Sequence, residues 1–313
     1  MPINIAVITP QYKNDYLCDT ILDGLLNLVT EDKSLNFKIT SGYTTDLEVT
    51  KHILNIEQFE IYAATADLIF LCWGKNNTNK ALAAKINRFE QTIFIDGSEL
   101  GGNRRYNELV EIDTDYLTKA VAYFKREKPY LDEVRPLPFG IESHYIKYQP
   151  DQIKDIDFIC VFGQKDFPSL RREVEWALID FCQANNFSYW TKPTNTPDEF
   201  HRLLARAKVG VSVGGGGFDT ARFWEILGNN CLLMTEKIDI YESDSKRLDY
   251  KRIWQFKDLA EFKAKLKQMG QYLRSSYQKS DLELEYNQII KDHSSKARVL
   301  EILNLARVKK LIP

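Results

Sequence analysis

Short apolar runs alternate along the chain with segments of helical period. Residues 4–9 (NIAVIT) predict a buried strand, and Leu17, Ile21, Leu25, Leu26 and Val29 recur at helical spacing over 17–29. Further strands are predicted at 36–41, 67–73 and 92–97, with helices at 52–66 and 79–89 between them. This β-α-β-α-β-α-β order predicts a parallel sheet covered by helices on both faces, with right-handed crossovers. One more strand is predicted at 119–127. Residues 128–142 then carry Pro129, Pro136, Pro138 and Gly140. Proline removes a backbone donor and fixes φ, so this stretch predicts an extended linker, neither helix nor central strand.

After the linker the alternation restarts. Strands are predicted at 157–163, 187–190, 208–214, 231–236 and 252–256. Helices are predicted at 168–185, at 196–207 with Thr196 as its cap and Pro197 in its first turn, and after the glycine run at 214–217. Everything beyond about residue 258 reads as helical. The fold class is therefore α/β: two Rossmann-like domains facing across a cleft, with C-terminal helices. The expected domains are residues 1–142, N-terminal, and 143–313, C-terminal with the C-terminal helices.

Composition narrows the function. Apolar residues make up 44% of the 313, enough to build two cores. The net charge of −2 supplies no broad basic field, so bulk nucleic-acid binding is not expected. The five cysteines have no CxxC spacing and sit mostly in apolar runs, which reads as buried thiols in a reducing compartment. The N-terminus has no signal-peptide pattern, and the apolar run at 66–73 is far too short for a membrane helix. A cytoplasmic protein without a transmembrane segment is expected. The four histidines show no metal-ligating spacing, so neither a protein-held metal nor a cofactor is expected.

In open parallel sheets the chemistry lies just beyond the carboxyl ends of the strands. The stretch VGGGGFDTARFWEILGNN (213–230) is such a place. Its glycines match neither the Walker pattern nor GxGxxG in either register, although Glu236 sits where the dinucleotide fingerprint wants an acid. Bare backbone at Gly215, Gly216 and Gly217 lets a phosphate approach closely, and Asp219 is placed to cap the helix that follows. Arg222 and Glu225 are three apart and share a face of it. A guanidinium there suits a diphosphate, and a carboxylate one turn on suits paired sugar hydroxyls. The alternative is a tight turn with a surface ion pair.

Other strand ends offer further groups. Gly163, Lys165 and Arg171 follow the strand at 157–163, which brings basic groups near a helix start or makes a solvated basic turn. Tyr12, Lys13 and Asp15 follow the first strand, and Asp15 can serve as a general base if its surroundings tune it. Asp96 and Glu99 follow the fourth strand, where one carboxylate can deprotonate an acceptor or Asp96 can close a turn. Asp19 reads as a solvated helix residue. Of two DxD patterns, Asp155/Asp157 lies at the wrong end of its strand, and Asp113/Asp115 reads as a turn cap or a weak metal site.

The segment FDTARFWEILGNNCLLMTEK (218–237) resembles the nucleotide-sugar-binding segment of GT-B glycosyltransferases, especially the spore-maturation group. DIDFICVFG (155–163), YFKRE (123–127), PLPFGIE (136–142) and HSSKAR (293–298) are similar in order and content, as is TPQYKNDYLCDTILDGL (9–25). The resemblance implies a hexosyltransferase with a nucleoside diphosphate sugar as donor, held by the C-terminal domain with Lys165 neutralising the leaving diphosphate, and an acceptor of unknown identity on the side of the N-terminal domain. It implies that Glu225 binds the ribose, Arg222 approaches the diphosphate and acts in catalysis, and Gly163 borders the donor. Gly217 stands where many retaining members carry a second Glu, which leaves the stereochemistry open. A non-catalytic nucleotide or sugar binder, a nucleotide-sugar epimerase and a dinucleotide oxidoreductase remain the alternatives.

Overall fold

The computed structural model describes residues 2–11, 15–73, 77–98, 112–127, 131–164, 168–238, 240–241 and 245–313. The chain divides into two compact units, one of Met1–Gly140 with His293–Pro313 and the other of Ile141–Asp292. No helix among the described residues is long and apolar enough to cross a membrane.

The first unit contains β1 (Ile3–Ile8), α1 (Tyr16–Glu31), β2 (Leu35–Thr40), β3 (Ile53–Leu54), α2 (Ile56–Ala63), β4 (Leu68–Cys72), α3 (Asn77–Ile86), β5 (Thr92–Asp96), α4 (Thr114–Lys119), β6 (Ala122–Lys125) and β7 (Val134–Pro136). The strands form one sheet in the order β3-β2-β1-β4-β5-β6-β7, and each described pair is parallel. Central strands are buried throughout, which is why β4 and β5 read as unbroken apolar runs. Two short strands depart from the sequence reading. Residues 53–54 begin the stretch expected to be helical yet pair with β2. Residues 134–136 lie within the expected linker yet extend the sheet beside β6. Pro136 is tolerated because β7 is the edge strand.

The second unit contains β8 (Ile156–Ile159), α5 (Leu170–Asn185), β9 (Tyr189–Trp190), α6 (Pro197–Arg206), β10 (Ala207–Ser212), α7 (Ala221–Leu227), β11 (Leu232–Glu236), β12 (Ile253–Phe256), α8 (Leu259–Ser275) and α9 (Glu283–His293). Its sheet runs β12-β11-β10-β8-β9, again parallel. Thr196 caps α6 as expected, accepting from the Glu199 N–H at 3.2 Å. The chain leaves β8 for β9 on one side and then returns to place β10 on the other. The order therefore reverses between β8 and β10, and the loops after these two strands flank the switch point.

The last helix, α10 (Ser295–Val308), corrects the expectation that all C-terminal helices join the second domain, because it packs in the first unit. Gly24 on α1 makes the close approach possible. A Cβ there would lie 2.4 Å from the Ser295 carbonyl oxygen and 2.6 Å from Val299 Cγ2. Ser295 donates to Asp23, and the buried Arg298 donates to the carbonyls of Pro138 (3.2 Å) and Phe139 (3.1 Å).

Candidate functional site

The glycine run fills the connection between β10 and α7. Left-handed backbone is the usual reason for glycine, yet Gly42 is the glycine with positive φ among the described residues. Gly214 to Gly217 and Gly163 therefore lack the positive φ that favours glycine. The Gly214 N–H donates to Glu236 Oε2 at 3.0 Å, and the Gly215 N–H donates to the Gly217 carbonyl at 2.9 Å. Glu236 is thus turned onto the glycine turn itself. Among the described residues a Cβ at Gly163 would meet nothing within 4 Å, and one at Gly215 would meet Arg171 Nη2 at 3.1 Å.

Arg171 ties the two sides of the switch point together. Its Nε and Nη2 donate to the Val213 carbonyl after β10 (3.3 and 3.1 Å), and Nη1 donates to the Gln164 carbonyl after β8 (3.2 Å). Its guanidinium lies 5.4 Å from the centre of the Phe162 ring. The loops of Gly163 and Gly215 are thereby held as neighbours.

Helix α7 lies close over β10 because Gly210 leaves room. A Cβ there would fall 2.6 Å from Ile226 Cγ1. Asp219 does not cap α7. Thr220 occupies the cap position without a side-chain cap bond, while the buried Asp219 accepts from Trp224 Nε1 at 2.8 Å. Trp224 is wholly buried, and an indole N–H in such a place needs an acceptor, so the carboxylate turns inward. At the far end, Asn230 at φ 53° makes the left-handed turn. Gly228 is instead required by space, since its Cβ would lie 2.7 Å from Ile141 Cγ2.

Arg222 and Glu225 form a pair, with Nη1 3.0 Å from Oε2. The pair is embedded in the fold. His201 Nε2 lies 2.9 Å from Glu225 Oε1, and the Arg222 guanidinium stacks 3.6 Å from the centre of the Phe200 ring. Both supports come from α6. Asn229 donates to the Glu225 carbonyl (2.9 Å) and to the Tyr145 carbonyl (2.8 Å), which brings the Tyr145 ring to 5.1 Å and the His144 ring to 5.8 Å from that of His201. Burial pushes the Glu225 carboxyl up. The Arg222 charge and the His201 hydrogen bond outweigh it and hold the group below its ordinary value. Glu225 is therefore an ionised acceptor at neutral pH. One neighbour on each oxygen leaves acceptor capacity on both, enough for a pair of hydroxyls.

The remaining predicted residues lie in the first unit or outside the described residues. Lys165, Glu99, Tyr12 and Lys13 are outside them. Asp15 follows β1 and caps α1, its Oδ1 accepting from the Cys18 N–H at 2.8 Å. Its carboxylate and the Trp73 ring converge on Gly97, where a Cβ would lie 2.9 Å from both. Trp73 has φ 55°, an uncommon conformation for a bulky residue. Asp96 closes a turn by accepting from the Ser98 N–H at 3.0 Å, and Tyr123 donates to it at 2.7 Å. The fully buried Lys125 donates to the Ser98 carbonyl at 3.0 Å. Asp113 caps α4 and pairs with Lys80. Asp19 corrects its reading as a solvated group. It accepts from Tyr43 (2.9 Å) and Thr45 (2.7 Å), and burial, then the nearby Asp15 and Asp46 charges, push its carboxyl up to about 6 against the pull of those two hydrogen bonds.

No protein-family model and no curated protein sequence matches the chain. Solved structures do. An α-glucosyltransferase in complex with UDP and a 13-mer DNA is 10% identical with a TM-score of 0.62, over 97% of this chain and 99% of that one. A glycosyltransferase from Rickettsia africae is 10% identical with a TM-score of 0.61, over 99% and 98%. The fold is of the GT-B type. A proposed UDP-N-acetylglucosamine 2-epimerase from Listeria monocytogenes is 11% identical with a TM-score of 0.56, over 99% and 98%. The GT-B fold is thus common to more than one chemistry, and the choice rests on the site.

Within this GT-B fold, sequence reasoning missed His201, Phe200 and Asn229. The signal for His201 was a polar residue on the apolar face of α6, between Phe200 and Leu203–Leu204, all of them buried. A polar group at such a position needs a partner. Nothing in the spacing names that partner, which lies 24 residues away.

Proposed function

We propose that the protein is a glycosyltransferase moving a sugar, a hexose, from a nucleoside diphosphate sugar to an acceptor hydroxyl without a metal ion. The observation that carries this reading is the Glu225 cluster. A buried ionised carboxylate with acceptor capacity stands beside a guanidinium on the helix that follows a glycine run without positive φ. Glu225 would accept the ribose hydroxyls. Arg222, Lys165 and the backbone around Gly163 and Gly215–Gly217 would meet the charge of the leaving diphosphate. Asp15 or Glu99 would take the proton of the acceptor. UDP in the α-glucosyltransferase neighbour supports uracil as the base. The motif order supports the spore-maturation group, and we place its action in the cytoplasm. Net charge −2 argues against a nucleic-acid acceptor.

The test is turnover of UDP-hexoses with a panel of acceptors in EDTA. Acceptor-dependent release of UDP supports the proposal. The likeness to the epimerase motivates the second reading, and isomerisation of the donor without acceptor would establish it. Tight UDP binding with no turnover would make the protein a binder. Glu225→Ala should weaken UDP binding by about 1–3 kcal/mol, the scale of lost charged hydrogen bonds. Unchanged affinity in the folded variant refutes the ribose assignment.

A further inference from the structure

We propose that His201 is the positioning residue of the nucleotide site, aiming the Glu225 carboxylate at the ribose. The inference rests on the nucleotide reading above. Three observations support it. His201 is 1% exposed and its Nε2 lies 2.9 Å from Glu225 Oε1. A carboxylate only accepts, so Nε2 carries the proton and Nδ1 is bare in the neutral ring. Nδ1 has no hydrogen-bond partner among the described residues. The ring thus has one polar engagement there, and it is with Glu225.

The second neighbour of Glu225 is Arg222, on the same helix and partly exposed. A guanidinium that turns toward a diphosphate loosens its hold on the carboxylate. His201 stands on α6, packed against the rings of Tyr145 and Phe200, with no second ligand to serve. It is the partner that stays, so it fixes which way the free lone pairs of Glu225 point. Its effect is confined to the hydroxyls that Glu225 reads. A histidine that merely filled space would change affinity for every nucleotide alike.

The experiment compares UDP with 2′,3′-dideoxy-UDP by titration calorimetry on the full chain. The wild type should prefer UDP by about tenfold or more, the size of one charged hydrogen bond. His201→Leu should bring the preference close to one. His201→Gln, whose amide nitrogen reaches the place of Nε2, should keep it within about threefold of wild type. His201→Asn, one methylene shorter, should lose it as Leu does, and carries the comparison if the Leu variant does not fold. A folded Leu or Asn variant with the wild-type preference overturns the inference. A wild type that binds UDP and dideoxy-UDP equally overturns the ribose role of Glu225, and no UDP binding overturns the nucleotide reading itself. Either result sinks the proposal from a different side.

Discussion

Gly163→Ala separates the structural use of a glycine from its use by a ligand. Gly163 follows β8, its φ is not positive, and an added Cβ would meet no atom of the described residues within 4 Å. The folded chain therefore gains no strain. The unfolded chain loses conformations, which stabilises the protein by about 0.4–1 kcal/mol. In a unit of this size that is a rise in Tm of about 1–4 °C without ligand. The donor pulls the other way. If the diphosphate rests on this backbone, the methyl occupies its place, and overpacking costs about 1–3 kcal/mol of affinity, roughly 5- to 150-fold. Melting curves without ligand and calorimetry with UDP read the two signs separately. Gly215→Ala is the companion, since its methyl presses on Arg171 Nη2 at 3.1 Å, so its own stability gain should be smaller. A fall in the ligand-free Tm of Gly163→Ala would show that the fold needs this glycine. A rise with unchanged UDP affinity would remove Gly163 from the donor site.

Two further predictions concern the first unit. Asp19 has its carboxyl pushed up to about 6, above its unfolded value, so the folded state holds the proton more tightly. Its ionisation costs nothing below about pH 4, costs progressively more between about 4 and 6, and costs at most about 3 kcal/mol above that. Tyr43 and Thr45 both donate to Oδ1, which Asn retains, so Asp19→Asn should be more stable than wild type in urea melts at pH 7.5 and equal to it near pH 4. Equal stabilities at both pH values would show that the charge is not strained. Gly24→Ala should destabilise by about 1–3 kcal/mol, because the new methyl meets the backbone of Ser295, and a variant that melts with wild type would contradict the α1–α10 packing.

The alternation of apolar runs and helical periods made both sheets legible, because parallel strands buried on both faces read as continuous apolar segments. Strands of two or three residues carry too little pattern. Residues 53–54 open the stretch read as helix, and the prolines around 134–136 argued against a strand that the sheet edge permits. The direction in which a side chain turns was also hidden. Asp219 has the residue type and position of a cap, and the buried indole of Trp224 claims it. Lys125 ends a strand in a charged run, and its amine lies fully buried on Ser98. Helix α10 was visible as a helix, but only the space left by Gly24 shows which unit receives it.

Glycine serves two structural purposes among the described residues, and neither explains two positions beside the candidate site. At Gly42 the backbone is left-handed. At Gly24, Gly210 and Gly228 a side chain would strike a neighbour within 2.8 Å, so these glycines set how closely helices lie on helices, strands or loops. Neither reason reaches Gly163, and Gly215 meets only the far end of an arginine. These two flank the switch point of the second sheet, joined by Arg171, the guanidinium that holds both loops through their carbonyls. Folding alone does not ask for bare backbone there. On the proposed function, the group that would touch the main chain there is the donor diphosphate, and the guanidinium and ionised carboxylate paired on α7 would meet its charge and the ribose hydroxyls.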